Sequence, residues 1–208
     1  MKKEGSGSRT LLLSVLMSAP GPLVVGLGLL VGKSSTQLAD FFRRSAELLA
    51  IIVAFAVYQL AGKNPSQEKK ARLERLSNRF VGTVMCLSGV IMAALALFAP
   101  SEDKGNVIPG LAIALMGVIA NCLFWRKYTR LSRETGSGIL AVQGRLYRAK
   151  TLVDGCVTLA LTTVLLLPGS PAAALLDTAG SVIVALYLLW CGIKTLRETA
   201  PGAGDPVS

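Results

Sequence analysis

Apolar positions along this chain come in long unbroken runs, separated by short polar clusters. Six runs stand out, at about 11–32, 36–61, 79–99, 107–125, 147–167 and 172–193. At about 1.5 Å of rise per residue, each can cover about 30 Å of hydrocarbon as a helix. None alternates with period two, so a membrane β-barrel is a poor description. The pattern predicts an all-α membrane protein, a bundle of six transmembrane helices. Pro20 and Pro22 lie inside the first run, where the missing amide hydrogens should kink or locally unwind the helix. Residues 1–10 read as a cytoplasmic tail, 11–199 as the bundle and 200–208 as a disordered tail.

Composition agrees with the pattern. Of 208 residues, 52% are hydrophobic and 16% charged, against about 25% charged in an ordinary soluble domain. The net charge of +10 suggests a polyanionic partner until the bases are located. Eighteen of the 22 Lys and Arg residues fall in the N-terminal tail, in the segments 62–79 and 126–150, or just past run six. Two fall in the other connections, Lys33 and Lys104, and two inside run two, Arg43 and Arg44. Bases gather on the cytoplasmic side of membrane proteins, so both termini are expected there, with the lipid bilayer as partner and no nucleic acid. A bacterial inner (plasma) membrane is the expected location. The bases of residues 68–79 suit a short amphipathic helix at the membrane surface.

Some function classes fall away. There is no histidine, hence no Ser/His or Cys/His pair, and no phosphate-binding loop, so an enzyme is not expected. Cys86, Cys122, Cys156 and Cys191 lack metal-site spacing and read as small packed residues. Gly82 and Gly89, seven apart on run three, read as a helix-packing seam or a homodimer contact.

Charge inside the apolar runs is the candidate chemistry. LADFFRRSAE leads directly into the uncharged LLAIIVAFAVYQLAG. At about 100° per residue, Asp40, Arg43, Arg44 and Glu47 share about one third of the helix circumference. Asp40 with Arg44, and Arg43 with Glu47, are spaced i,i+4. Run five opens with GRLYRAKTLVDG, placing Lys150 and Asp154 i,i+4 as well; Asn121 lies in run four and Asp177 opens run six. Each ionised group at mid-membrane costs about 2.5–3.5 kcal/mol on the insertion scale, so neutral pairs should form: Arg43 with Asp154, and Lys150 with Glu47. Such a cluster is either a site for a transported ion or solute, or a neutral network that only fixes helix packing.

The chain resembles the transmembrane domain of the cation diffusion facilitator (cation efflux) family from about residue 10 to 199. Its SSTQLADFFRRSAE is similar to that family's second-span S-x-x-L-L-A-D-x-x-H-S-x-x-D, and KTLVD to its fifth-span H-x-x-x-D or D-x-x-x-D. DTAGSVIVALYLLWCGIKTLRET resembles the sixth-span D-x-x-x-x-x-x-I-A-L-Y-x-L-W-x-G-I-x-x-L-R-E. The resemblance implies six spans with cytoplasmic termini and a proton-coupled exporter of a divalent metal such as zinc. That metal would be held by four ligands between spans two and five, usually with a cytosolic domain following. Glu47 and Asp154 fall on two ligand positions and could serve any metal that binds, whereas Arg43 and Lys150 fall on the other two, where fixed positive charge replaces a ligand. No cofactor is expected. The expectation is a cation efflux-type transporter working by proton-coupled alternating access, lacking the C-terminal cytosolic domain and with a degenerate site at Asp40, Arg43, Glu47, Lys150 and Asp154. Asn121 and Asp177 would be secondary polar positions, and the transported cation or proton the other partner. The alternative is a non-transporting partner or regulatory protein, in which a salt-bridge network stands where the metal would be.

Overall fold

A computed structural model describes residues 2–31, 35–62, 66–98, 108–167 and 171–200. Apart from short turns, these are helical: α1 (Lys2–Ser18), α2 (Pro20–Val31), α3 (Ser35–Ala61), α4 (Gln67–Phe98), α5 (Ile108–Thr135), α6 (Gly138–Leu166) and α7 (Pro171–Glu198). The five helices from α3 to α7 are each long and apolar enough to cross a membrane. With 17 and 12 residues, α1 and α2 are each too short to span alone. Together they cover the first apolar run, and the break falls where the prolines predict it. The Ala19 amide donates to the Val15 carbonyl at 2.9 Å, closing α1. Pro20 then opens α2 at a position where a helix needs no amide hydrogen. Leu13, Leu23, Leu97, Ile113, Leu159 and Leu186 are exposed on the outside of the bundle. An apolar exterior of this extent is a lipid-facing surface. Tyr128, Tyr147, Met85, Ile51, Leu146 and Leu188 fill the interior.

Several helices run past the apolar stretches that announced them. The bases of residues 68–79 belong to α4, not to a separate surface helix, because Arg, Lys, Glu and Leu all favour continuing a helix. Ser66 caps it, its Oγ accepting from the Lys69 amide at 3.4 Å. The basic segment 126–150 is likewise a helical hairpin, α5 and α6 meeting at one tight turn. Gly136 makes that turn at φ 65°, a left-handed conformation open to glycine, and its amide donates to the Ser132 carbonyl at 2.9 Å. The end of the bundle holding this turn, the start of α4 and the end of α7 is its basic end. The start of α1 belongs to the same end, since Gln59 Nε2 near the close of α3 donates to Ser8 Oγ at 2.8 Å. The segment expected as an N-terminal tail is therefore helical from Lys2. Most of the segment expected as a disordered C-terminal tail, 201–208, lies outside the described residues.

The glycine seam on α4 faces inward. Gly82 lies against Gly192 and Leu196 of α7, and Gly89 against Ala185 and Leu189. The seam is therefore a contact within the chain. All four cysteines are free thiols; Cys191 is buried and the others half-buried.

Candidate functional site

Glu47 lies midway along α3 and is 4% exposed. Its two carboxylate oxygens receive bases from two helices. Arg43 Nη1, one turn earlier on α3, donates to Oε1 at 3.1 Å. Lys150 Nζ on α6 reaches Oε2 at 3.4 Å, so the expected Lys150–Glu47 pairing across two helices is present. Local helix geometry places the first pair, since side chains four apart stand one above the other. The second depends on tertiary packing and joins helices that otherwise touch little. Arg43 is 9% exposed. Arg44 turns outward toward α2, its Nη1 3.7 Å from where a Cβ at Gly21 would be.

Asp154 is held differently, and the expected Arg43–Asp154 pair does not form among the described residues. One turn beyond Lys150 on α6, it accepts a hydrogen bond from Asn121 Nδ2 of α5 at 2.7 Å. Gly117, one turn from Asn121, leaves the space that the carboxylate fills; a Cβ there would collide with it. A neutral amide and a bare stretch of helix thus receive Asp154. Arg43 and Lys150 balance Glu47 and Asp154 in formal charge, which is the cheap way to keep four ionisable groups in a membrane interior. The side chains of Asp40 and Asp177 lie outside the described residues.

A second polar layer flanks the charges toward the basic end, where Lys150 Nζ lies 5.2 Å from the centroid of the Tyr147 ring. The Tyr147 hydroxyl shares a hydrogen bond with Ser18 Oγ at 3.2 Å and donates to the Ser14 carbonyl at 3.5 Å. Ser14 Oγ shares a 2.6 Å hydrogen bond with the Tyr128 hydroxyl. Phe124 completes the aromatic cluster, 5.1 Å from Tyr147 between centroids. These contacts fasten α1 to α5 and α6 beside the charged layer. The readable signal was Thr10, Ser14 and Ser18, a hydroxyl stripe at i,i+4 along an otherwise apolar run.

Donor chemistry decides which cations suit this layer. A resident zinc site is usually built from four Cys, His, Asp or Glu ligands. Among the described residues no three such side chains converge, and both oxygens of Glu47 are occupied by bases. The described side chains do not assemble such a ligand set.

The family model of the cation efflux transmembrane domain matches residues 11–201, nearly the whole bundle. The chain belongs to that family. No curated protein matches it significantly. This cation efflux domain is thus an integral, multi-pass membrane bundle of a cation transport family. Its two mid-membrane acids, Glu47 and Asp154, are held in unequal ways: one by two bases, one by an amide.

Proposed function

We propose that this protein moves a cation across the membrane by proton-coupled alternating access, with Asp154 as the carboxylate that exchanges charge and Glu47 as the tether that sets the resting state. The observation carrying this reading is the unequal treatment of the two acids. Glu47 is neutralised by Arg43 and Lys150, whereas Asp154 is held by the neutral Asn121 amide. A neutral amide can be exchanged for an incoming positive charge at less electrostatic penalty than a bound ammonium or guanidinium. Lys150 is one turn away on the same helix, so charge arriving at Asp154 bears on the Lys150–Glu47 bond. Weakening that bond frees α3 from α6, the movement that alternating access requires. Because the layer is already balanced, a divalent cargo would leave it strongly positive; a proton or another singly charged cation suits it better. The basic end of the bundle is the cytoplasmic one in this reading, by the preference of Lys and Arg for that side.

The test is flux in proteoliposomes under an imposed pH gradient, with zinc, manganese and monovalent cations supplied in turn. Asp154→Asn should abolish flux in a protein that still folds, as judged by thermal unfolding. Unaltered flux in Asp154→Asn would remove the assignment.

A second reading rests on the double pairing of Glu47, both of whose oxygens are occupied. In it the charged layer is a structural lock, and the protein is a partner or regulatory subunit that keeps the scaffold. That reading expects no flux from the unaltered protein for any cation supplied.

A further inference from the structure

Arg145 and Arg148 lie three residues apart on α6, yet their surroundings differ. The Arg145 guanidinium is committed: Nη1 donates to Thr195 Oγ1 at 3.2 Å and to Glu198 Oε2 at 2.6 Å, and Nη2 to Glu198 Oε1 at 3.2 Å. Arg148, exposed, has no carboxylate partner among the described residues. It is held instead between two aromatic rings, Trp125 of α5 at 5.5 Å and Tyr187 of α7 at 5.7 Å from their centroids. Lys194, also exposed and without a carboxylate partner among the described residues, lies 5.4 Å from the Trp190 ring, which is 6.0 Å from that of Tyr187. Two cations and three aromatic rings from three helices thus form one patch.

Aromatic faces attract a cation through their quadrupole and leave its N–H donors unused. The rings therefore fix Arg148 in place while its planar donor edge stays available, in the form suited to two oxygens of a phosphate. Glu198, the acid on α7 next to this patch, is already occupied by Arg145, so the patch keeps both positive charges.

Its depth in the bundle is defined by the sequence of the helices that bear it. On α5 the apolar run stops at Trp125 and is followed by Arg126, Lys127, Arg130 and Arg133. On α7 the exposed Ile183, Leu186 and Trp190 give way to Lys194 and Arg197. The patch therefore straddles the level where hydrocarbon meets headgroups, the depth favoured by Trp and Tyr. Bases at that level attract anionic lipid.

We propose that Arg148 and Lys194, framed by Trp125, Tyr187 and Trp190, form a binding site for the phosphate of an anionic phospholipid. The phosphate meets the two bases, the glycerol lies against the rings, and an acyl chain follows the exposed Leu186 and Ile183. Free phosphate would leave the aromatic and aliphatic half of the patch unused, which is why a lipid is the occupant. The site is separate from the mid-membrane charges and does not depend on what the protein transports.

Native mass spectrometry of the detergent-purified, delipidated protein, titrated with phosphatidylglycerol or phosphatidylcholine, tests it. Phosphatidylglycerol should be retained about tenfold more strongly, and Arg148→Gln combined with Lys194→Gln should remove that preference. Arg75→Gln, which alters an exposed base on α4, should leave it intact. Trp125→Leu, keeping both charges, should weaken retention severalfold, and phosphatidylglycerol should raise the thermal midpoint of the unaltered protein more than that of either patch variant. Equal retention of the two lipids would overturn the proposal. So would an equal loss from Arg75→Gln, which would mean diffuse attraction to basic charge. Displacement of the lipid by millimolar inorganic phosphate would reassign the patch to phosphate alone, and loss of a dimer in place of lipid from the double variant would reassign it to a second copy of the chain.

Discussion

Two pairs of helices in this bundle are joined by opposite means. Between α4 and α7 the backbones nearly touch. A Cβ at Gly89 would lie 3.0 Å from the Ala185 carbonyl oxygen, and one at Gly82 would lie 3.2 Å from that of Gly192. Among the described residues no ion pair joins these two helices, and the contact between them is extensive. Between α3 and α6 the contact is short, and the Lys150–Glu47 ion pair spans it. The seam owes its hold to shape and dispersion, which fall away within about an ångström of separation. The ion pair spans its gap with a flexible lysine and can re-form over a range of helix positions. A close-packed pair resists relative motion, and a charge-linked pair permits it. Under the alternating access proposed above, that difference makes the α3–α6 contact the candidate joint.

The largest effect should come from breaking the charge-linked joint at its centre. Glu47→Gln leaves Arg43 and Lys150 without the carboxylate they share, and stranding a buried charge costs about 3–5 kcal/mol. The variant should unfold at a clearly lower temperature than the unaltered protein in the same detergent. Lys150→Met should be milder, because Arg43–Glu47 remains. Equal midpoints for Glu47→Gln and the unaltered protein would mean that these charges contribute nothing to the fold.

Next in size is the seam. Gly89→Leu forces a side chain into the α7 backbone and should destabilise by about 1–3 kcal/mol. Gly155→Ala is the matched control, since a Cβ there meets nothing within 4 Å. It should be neutral or stabilise by about 0.5–1 kcal/mol through lower chain entropy. The comparison sharpens if Gly89→Leu lowers the unfolding temperature while leaving flux per folded molecule unchanged, because a rigid pair needs only to stay together.

A charge exchange asks whether the joint is pairwise. Glu47→Lys and Lys150→Glu should each destabilise, and together recover part of the loss, with a coupling of about 0.5–3 kcal/mol. Recovery should be incomplete, because Arg43 would then stand one turn from a lysine at position 47. Strict additivity in thermal unfolding would deny that the two side chains interact.

How much of this was legible without coordinates follows from the same contrast. The Arg43–Glu47 pair was readable because helix geometry alone fixes an i,i+4 contact. The spans were readable because lipid demands long apolar runs. Partners across helices were readable only where charge left few choices, as with Lys150 and Glu47. The seam was visible as glycines on α4, yet nothing in their spacing named α7. The helical extensions at the basic end were hidden for another reason: hydropathy marks where lipid stops, whereas helix propensity decides where the helix stops. Gly117 could not have been assigned at all, because its role is the space it leaves for Asp154.

The smallest effects should lie where polar contacts merely accompany packing. Tyr128→Phe removes the hydrogen bond to Ser14 and keeps the ring; interhelical hydrogen bonds in membrane proteins average about 0.6 kcal/mol. Arg145 and Glu198 form a bidentate pair, with bonds at 2.6 and 3.2 Å. Even so, Glu198→Gln should change stability by no more than about 0–1 kcal/mol, since exposed pairs contribute little and salt screens them. Comparing Glu198→Gln with Glu47→Gln at low and high salt separates location from geometry. The difference between unaltered protein and variant should shrink with salt for the exposed pair and persist for the buried one. A larger loss from Glu198→Gln than from Glu47→Gln would place the decisive electrostatics at the bundle's edge and leave the α3–α6 joint without its role.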